Sequence, residues 1–112
     1  MRIYVAGPMT SSGREMVQNI RDAISCSDWL IRLGHAPYVP QLTHFWNLMS
    51  THTWEEWLRL DEAWLMQCEC LVRLPGESEG ADREVAFCRE HGIPVYLGME
   101  ALMKELEPEV DV

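Results

Sequence analysis

The chain has 112 residues and a net charge of −9, with nine lysines and arginines against eighteen aspartates and glutamates. That length supports one hydrophobic core and a single domain, 1–112, and the acidic balance argues against a nucleic acid polymer as partner. A small anionic ligand stays admissible, because one helix N-terminus binds phosphate whatever the overall charge.

No apolar run reaches the roughly 20 residues that a bilayer span needs, and the N-terminus opens as a strand rather than a signal peptide. A soluble, cytoplasmic protein without membrane partners is therefore expected. The four cysteines read as reduced thiols in a chain with no secretory signal. His44 and His52 stand near each other among tryptophans, but no third or fourth ligand accompanies them, so neither a metal nor a cofactor is expected.

In chain order, RIYVAG (2–7) reads as a buried first strand ended by the turn pair Gly7-Pro8. From about Gly13 to Leu33 the apolar residues Met16, Ile20, Ala23, Ile24, Leu30 and Ile31 recur near helical spacing, with Gly34 as the stop. HAPYVP (35–40) is a short second strand closed by Pro40. Residues 41–52, QLTHFWNLMSTH, read as a loop with a short helical piece, a place where ligand contacts gather. WEEWLRLDEAWLMQC (54–68) is a helix, and Thr53 with Glu56 spells the capping box that satisfies two orphaned backbone donors.

CLVRLP (70–75) is the third strand, GADREVAFCREHG (80–92) a helix ending at Gly92, and IPVYLG (93–98) the fourth strand. MEALMKEL (99–106) forms a last helix before an acidic tail, 107–112, expected to fray. This alternation predicts a small Rossmann-like or flavodoxin-like α/β domain, a parallel sheet of four or five strands with helices on both faces. Such sheets bind ligands at the carboxyl ends of their strands. Neither the Walker loop nor G-x-G-x-x-G is present.

Two carboxylates interrupt apolar helix faces. Asp61 falls inside the stripe Trp57, Leu58, Trp64, Leu65 and Cys68, and Glu84 inside Ala81, Val85 and Cys88. An unpaired charge is costly at such positions. Each has an ordinary explanation alone: Asp61 as an edge-of-core acid paired with Arg2 or Arg73, Glu84 as a first-turn acid favoured by the helix dipole. Together they point to a site, because their helices flank the same strand, 70–74, with their N-terminal halves toward the sheet's carboxyl edge. Ser78 and Gly80 add a hydroxyl, backbone N–H groups and room for a ligand, although a routine N-cap and turn glycine also accounts for them.

IYVAGP at the start, Asp61 on the helix before the third strand, and SEGADREVA followed by GIPV resemble the nucleoside 2-deoxyribosyltransferase superfamily over residues 2 to about 98. The resemblance is closest to its small bacterial and phage branch, and the motifs also resemble the 2'-deoxynucleoside 5'-phosphate N-hydrolases. It implies that Glu84, kept ionised by a first-turn position, is a nucleophile toward C1' of a deoxyribose. Asp61 would then orient sugar hydroxyls or assist departure of the base. Tyr4, otherwise a plain strand aromatic, would hydrogen-bond near Glu84. Gly7 and Pro8 would admit the ligand at the first turn, and Ser78 and Gly80 would line its phosphate or sugar side. Phe45, Trp46 and Trp54 would stack on a base, or else form a hydrophobic lid or subunit interface. Members acting on 5'-phosphates carry an arginine where this chain has Thr10; Arg14, one helical turn on, is the candidate substitute. A homo-oligomer, dimer or higher, is also implied.

Two readings of different class follow. The preferred one is an enzyme that cleaves or transfers at the N-glycosidic bond of a nucleoside or its 5'-monophosphate through a covalent glycosyl-glutamate. The other is a non-catalytic module that senses or sequesters a nucleotide metabolite. A purely structural interaction domain would need both carboxylates to be incidental.

Overall fold

The computed structural model describes residues 1–9 and 13–106, so Thr10 and the acidic tail 107–112 lie outside the described residues. β1 (Arg2–Ala6) is the strand around which the rest is built. Its side chains alternate, Ile3 and Val5 to one face and Tyr4 and Ala6 to the other, and all four are fully buried, as a central parallel strand requires. β2 (Ala36–Tyr38) and β3 (Cys70–Arg73) flank it, and β4 (Val95–Leu97) lies outside β3, giving the order β2-β1-β3-β4 with every pairing parallel. The sheet has four strands, each shorter than its sequence segment, because the turn prolines and glycines at both ends leave the ladder.

α1 (Gly13–Arg32) and α5 (Met99–Leu106) cover one face, contributing Ala23, Cys26, Leu30 and Leu102 to a core with Ile3, Val5, Cys70, Val72 and Leu74. α3 (Trp54–Leu65) and α4 (Glu79–Glu90) cover the other, where Leu65, Ala81, Val85 and Cys88 meet Tyr4, Ala6 and Leu71. Helices on both faces of a parallel sheet are the α/β architecture expected from the alternation of elements. The chain leaves β1 toward β2 and then crosses back to β3 on the other side. Its topological switch point therefore falls at the carboxyl ends of β1 and β3.

Several sequence expectations change in detail. On α1, Ile24 and Ile31 are exposed, and Cys26 and Ser27 take inward places beside Ala23 and Leu30. On α3, Trp64 is half-exposed; only Leu58, Asp61 and Leu65 are buried, and the helix ends before Cys68. In residues 41–52 the short helical piece expected is present, as a 3-10 turn (Pro40–Leu42) running into α2 (Thr43–Met49), a helix without a buried residue. No described helix is long and apolar enough to cross a membrane.

Two glycines hold the switch point tight. At Gly7 an added Cβ would come 3.0 Å from Gln41 Nε2 and 3.3 Å from Leu74 Cβ. Gly76, with φ +117°, would meet Pro8 Cγ at 2.9 Å, so the turns after β1 and β3 lie close together, tightly packed at Gly7 and with a backbone conformation at Gly76 that favours glycine.

α3 begins as the sequence demands: Thr53 Oγ1 accepts from Glu56 N at 3.1 Å, and the Glu56 carboxylate accepts from Thr53 N at 3.4 Å. Thr53→Ala is expected to lower stability by about 1 kcal/mol, measured by urea unfolding. An unchanged midpoint would mean that the cap contributes nothing to holding α3, and Asp61 with it, in place.

Candidate active site

A cavity of about 640 Å³ opens at the switch point. Its walls are the turn after β1 (Gly7, Met9), the 40–47 segment, the outer half of α3 and the first turns of α4. Glu84 enters because α4 presents Ala81, Glu84, Val85 and Cys88 on one face, three apolar residues buried in the core and one acid at the cavity's floor. Asp61 enters in the same way from α3, between Leu58 and Leu65.

Each acid is tied to a strand. Tyr4, wholly buried on β1, donates its hydroxyl to Glu84 Oε2. Tyr38, its in-register neighbour on β2, donates to Asp61 Oδ1 at 3.2 Å, and the two tyrosine rings lie 5.3 Å apart. Among the described residues neither acid forms an ion pair with an arginine. Arg2 pairs with Glu69 (3.6 Å), and Arg73 is held by the carbonyls of Leu74 and Gly76 and by Asp82, so the expectation that Asp61 pairs with Arg2 or Arg73 does not hold.

Glu84 also differs from the first-turn acid expected. α4 starts at Glu79, which puts Glu84 in the second turn, where the dipole's pull has faded. Burial wins instead. Desolvation pushes its carboxyl up to about 8, opposed by the Tyr4 hydroxyl and assisted by the nearby Asp61. Burial likewise pushes Asp61 up to about 7 against the Tyr38 bond, and both tyrosines are raised by burial and by the acids beside them. Asp61 lies past the midpoint of α3 rather than in its N-terminal half, and still reaches the cavity.

At the rim, Ser78 Oγ accepts from Ala81 N at 3.1 Å, which leaves its own proton free for a ligand. A Cβ on Gly80 would meet nothing within 4 Å, so that glycine leaves open space. Trp54 lines the cavity with Trp57; Trp46 and Phe45 do not, being half-exposed on α2, where Trp46 packs edge-on against Trp57. Pro8 faces a second cavity on the opposite side of the sheet, beside Cys26 and Met99. Arg14 is exposed at the start of α1 and lines neither cavity.

The sequence did not single out Tyr38 or Gln41. Gln41 is buried, lines the cavity, and among the described residues has neither amide nitrogen nor oxygen hydrogen-bonded. Its one signal was its place directly after β2 at the carboxyl edge. Among the described residues no lysine or arginine lines the cavity, while Asp61, Glu77, Glu79 and Glu84 do. Arg83 lies over Trp54 (5.3 Å to the ring centre) and beside Glu62. Among the described residues, no group of three or more His, Cys, Asp or Glu could hold a metal ion.

Residues 1–97 match the family model described as "Domain of unknown function (DUF4406)". No curated protein matches the chain. Among solved structures, a 2-deoxyribosyltransferase from Bacillus psychrosaccharolyticus superposes with a TM-score of 0.62 at 21% identity, covering 87% of this chain and 71% of that one. A conserved protein from Enterococcus faecalis V583 superposes with a TM-score of 0.65 at 22% identity, covering 93% of this chain and 71% of that one. The chain thus has the fold of a nucleoside deoxyribosyltransferase.

Each acid binds its proton more tightly folded than unfolded, so the stability this confers is complete below about pH 4 and is lost as pH rises through about 7 and 8. Glu84→Gln is expected to lose less stability than wild type over that rise and to be about 2 kcal/mol more stable at pH 9. Thermal unfolding at pH 5 and pH 9 measures this; parallel losses in both proteins would contradict it.

Proposed function

We propose that this chain, which belongs to the DUF4406 family, cleaves or transfers at the N-glycosidic bond of a nucleoside, with Glu84 as nucleophile. The observation that carries the reading is the Tyr4–Glu84 hydrogen bond on the floor of a cavity that Asp61 shares, at the switch point of a deoxyribosyltransferase fold. The Glu84 carboxylate attacks C1' of the sugar. The C1'–N bond breaks with its electron pair going to the base, which takes a proton from the Asp61 carboxyl or through water, and a glycosyl ester forms on Glu84. Water or a nitrogen of a second base then attacks C1', giving up a proton and freeing the Glu84 carboxylate. This two-step logic is that of retaining glycosidases, in which a carboxylate divides one hard displacement into two easier ones.

Trp54 and Trp57 offer the base an aromatic wall, and the Ser78 hydroxyl and the space at Gly80 suit the sugar. The cavity's charge favours an unphosphorylated nucleoside over its 5'-monophosphate. A phosphate would meet the carboxylates of Glu77 and Glu79 and, among the described lining residues, no lysine or arginine, and each like-charge pair at 4 Å costs from about 1 kcal/mol in water to about 4 kcal/mol near a protein surface. A dianion would also raise Glu84 further and so keep the nucleophile protonated.

A binding module that senses or sequesters a nucleoside is the second reading. One observation favours it: with its carboxyl pushed up to about 8, Glu84 is mostly protonated at neutral pH in the ligand-free site. Base release from the common 2'-deoxynucleosides and their 5'-monophosphates, followed by chromatography between pH 6 and pH 9 with and without an acceptor base, separates the two. The enzyme reading expects release from nucleosides at least ~10-fold faster than from monophosphates, rising with pH, and lowered roughly 1,000-fold or more by Glu84→Gln. Binding without release across that range would select the binding module.

A further inference from the structure

Among the described residues Tyr38 makes the one side-chain hydrogen bond to Asp61, and its setting is specific. β1 and β2 pair in register so that Tyr4 stands opposite Tyr38. Each tyrosine reaches outward to one carboxylate, Tyr4 to Glu84 and Tyr38 to Asp61. The Tyr38 ring is held between Tyr4, 5.3 Å away, and Trp64, stacked at 5.9 Å with an interplanar angle of 22°. That sandwich accounts for a tryptophan left half-exposed on α3: it fixes the ring whose hydroxyl fixes the acid.

We propose that Tyr38 is a positioning residue for the acid pair: its hydroxyl ties Asp61 to β2 and, by favouring the aspartate's carboxylate, sets how readily Asp61, and through its charge Glu84, holds a proton. A hydroxyl that donates to a carboxylate stabilises the ionised form. With both tyrosines in place, each acid has one such donor, and among the described residues neither forms an ion pair with an arginine that would overwhelm it. How readily each acid holds its proton is then set by small differences between the two couples.

The other groups that face the pair are few. Glu62, on Asp61's own helix, adds negative charge to both acids, although Arg83 stands 3.9 Å from it. Arg73 on β3 draws Glu84 toward its ionised form, and Cys68 faces Tyr38. None of these donates a hydrogen bond to Asp61, so the Tyr38 hydroxyl is the local handle on its proton.

Removing that hydroxyl has two opposite consequences. Asp61 loses its donor and holds its proton to higher pH. Glu84, relieved of part of the neighbouring negative charge, gives its proton up at lower pH. A side chain that merely filled space would move both acids together or neither. The consequence for turnover rests on the reading of Glu84 as nucleophile; the effect on the two acids' protons does not.

The test is a carboxyl-carbon NMR pH titration of the ligand-free protein, comparing wild type with Tyr38→Phe and Tyr4→Phe. Tyr38→Phe is expected to move Asp61 up by about half to one pH unit and Glu84 down by a few tenths, and Tyr4→Phe to move Glu84 up. Tyr38→3-fluorotyrosine, a more acidic donor of nearly the same shape, guards against a phenylalanine variant that fails to fold and should move Asp61 down. An Asp61 midpoint unchanged in both Tyr38 variants, or Asp61 and Glu84 moving in the same direction, would overturn the proposal. Where base release is measurable, Tyr38→Phe should shift the pH profile of kcat in step with the titration. Titrations as expected without base release would uphold the positioning role and count against the catalytic reading instead.

Discussion

The hydrogen bond from Tyr4 to Glu84 is the constraint on which the site depends. It joins the central strand to α4 across a largely apolar face of the sheet, and both partners are buried. A buried carboxyl needs a partner to avoid a penalty of several kcal/mol, and here it has one neutral hydroxyl and no cation on hydrogen-bond terms. The acid is thereby fixed in place without being neutralised by a salt bridge. A carboxylate locked to an arginine would be ionised and inert; one held by a phenol keeps its reactivity and titrates near neutral pH.

The sheet topology makes this arrangement available. The crossover from β2 back to β3 opens a crevice beside β1, and Gly7 and Gly76 keep the two turns close enough to form its base. α3 and α4 then bring one acid each to the same opening from either side of β3. The walls contributed by the 40–47 segment supply what the acids lack: a buried amide without a partner at Gln41, and the neutral side chains of Thr43 and Asn47. The cavity thus joins two buried acids to neutral polar groups and indoles, the combination on which the proposed nucleoside substrate rests.

Much of this was legible in the sequence, and the limits are physical. Asp61 and Glu84 stood out because each breaks a helical apolar stripe, and the Thr53 capping box fixed the start of α3 from four letters. Strand order, by contrast, depends on which crossovers pack together, which no local pattern encodes. Trp46 was expected at the site because it is aromatic and close in sequence; it sits on α2, a short helix with no buried face, so its direction depends on tertiary contacts that spacing does not encode. Pro8 turned to the other side of the sheet because strand alternation stops at Ala6. The state of Glu84 was misjudged for a different reason: a helix-dipole effect worth a fraction of a kcal/mol was weighed without the depth of burial, which acts in the opposite direction and is larger. Tyr38 gave no local signal and Gln41 only its place after β2, since their importance lies in which atoms they meet or fail to meet.

The central claim is that Glu84 forms a bond to a sugar carbon. Mass spectrometry of the protein quenched in acid during incubation with a 2'-deoxynucleoside tests it directly. A deoxyribosyl adduct on the peptide that carries Glu84, absent from the Tyr4-containing and Asp61-containing peptides and lost on chasing with water or an acceptor base, is the predicted result. Base release with Glu84 unmodified at every time point, or an adduct on Asp61 instead, would contradict the account.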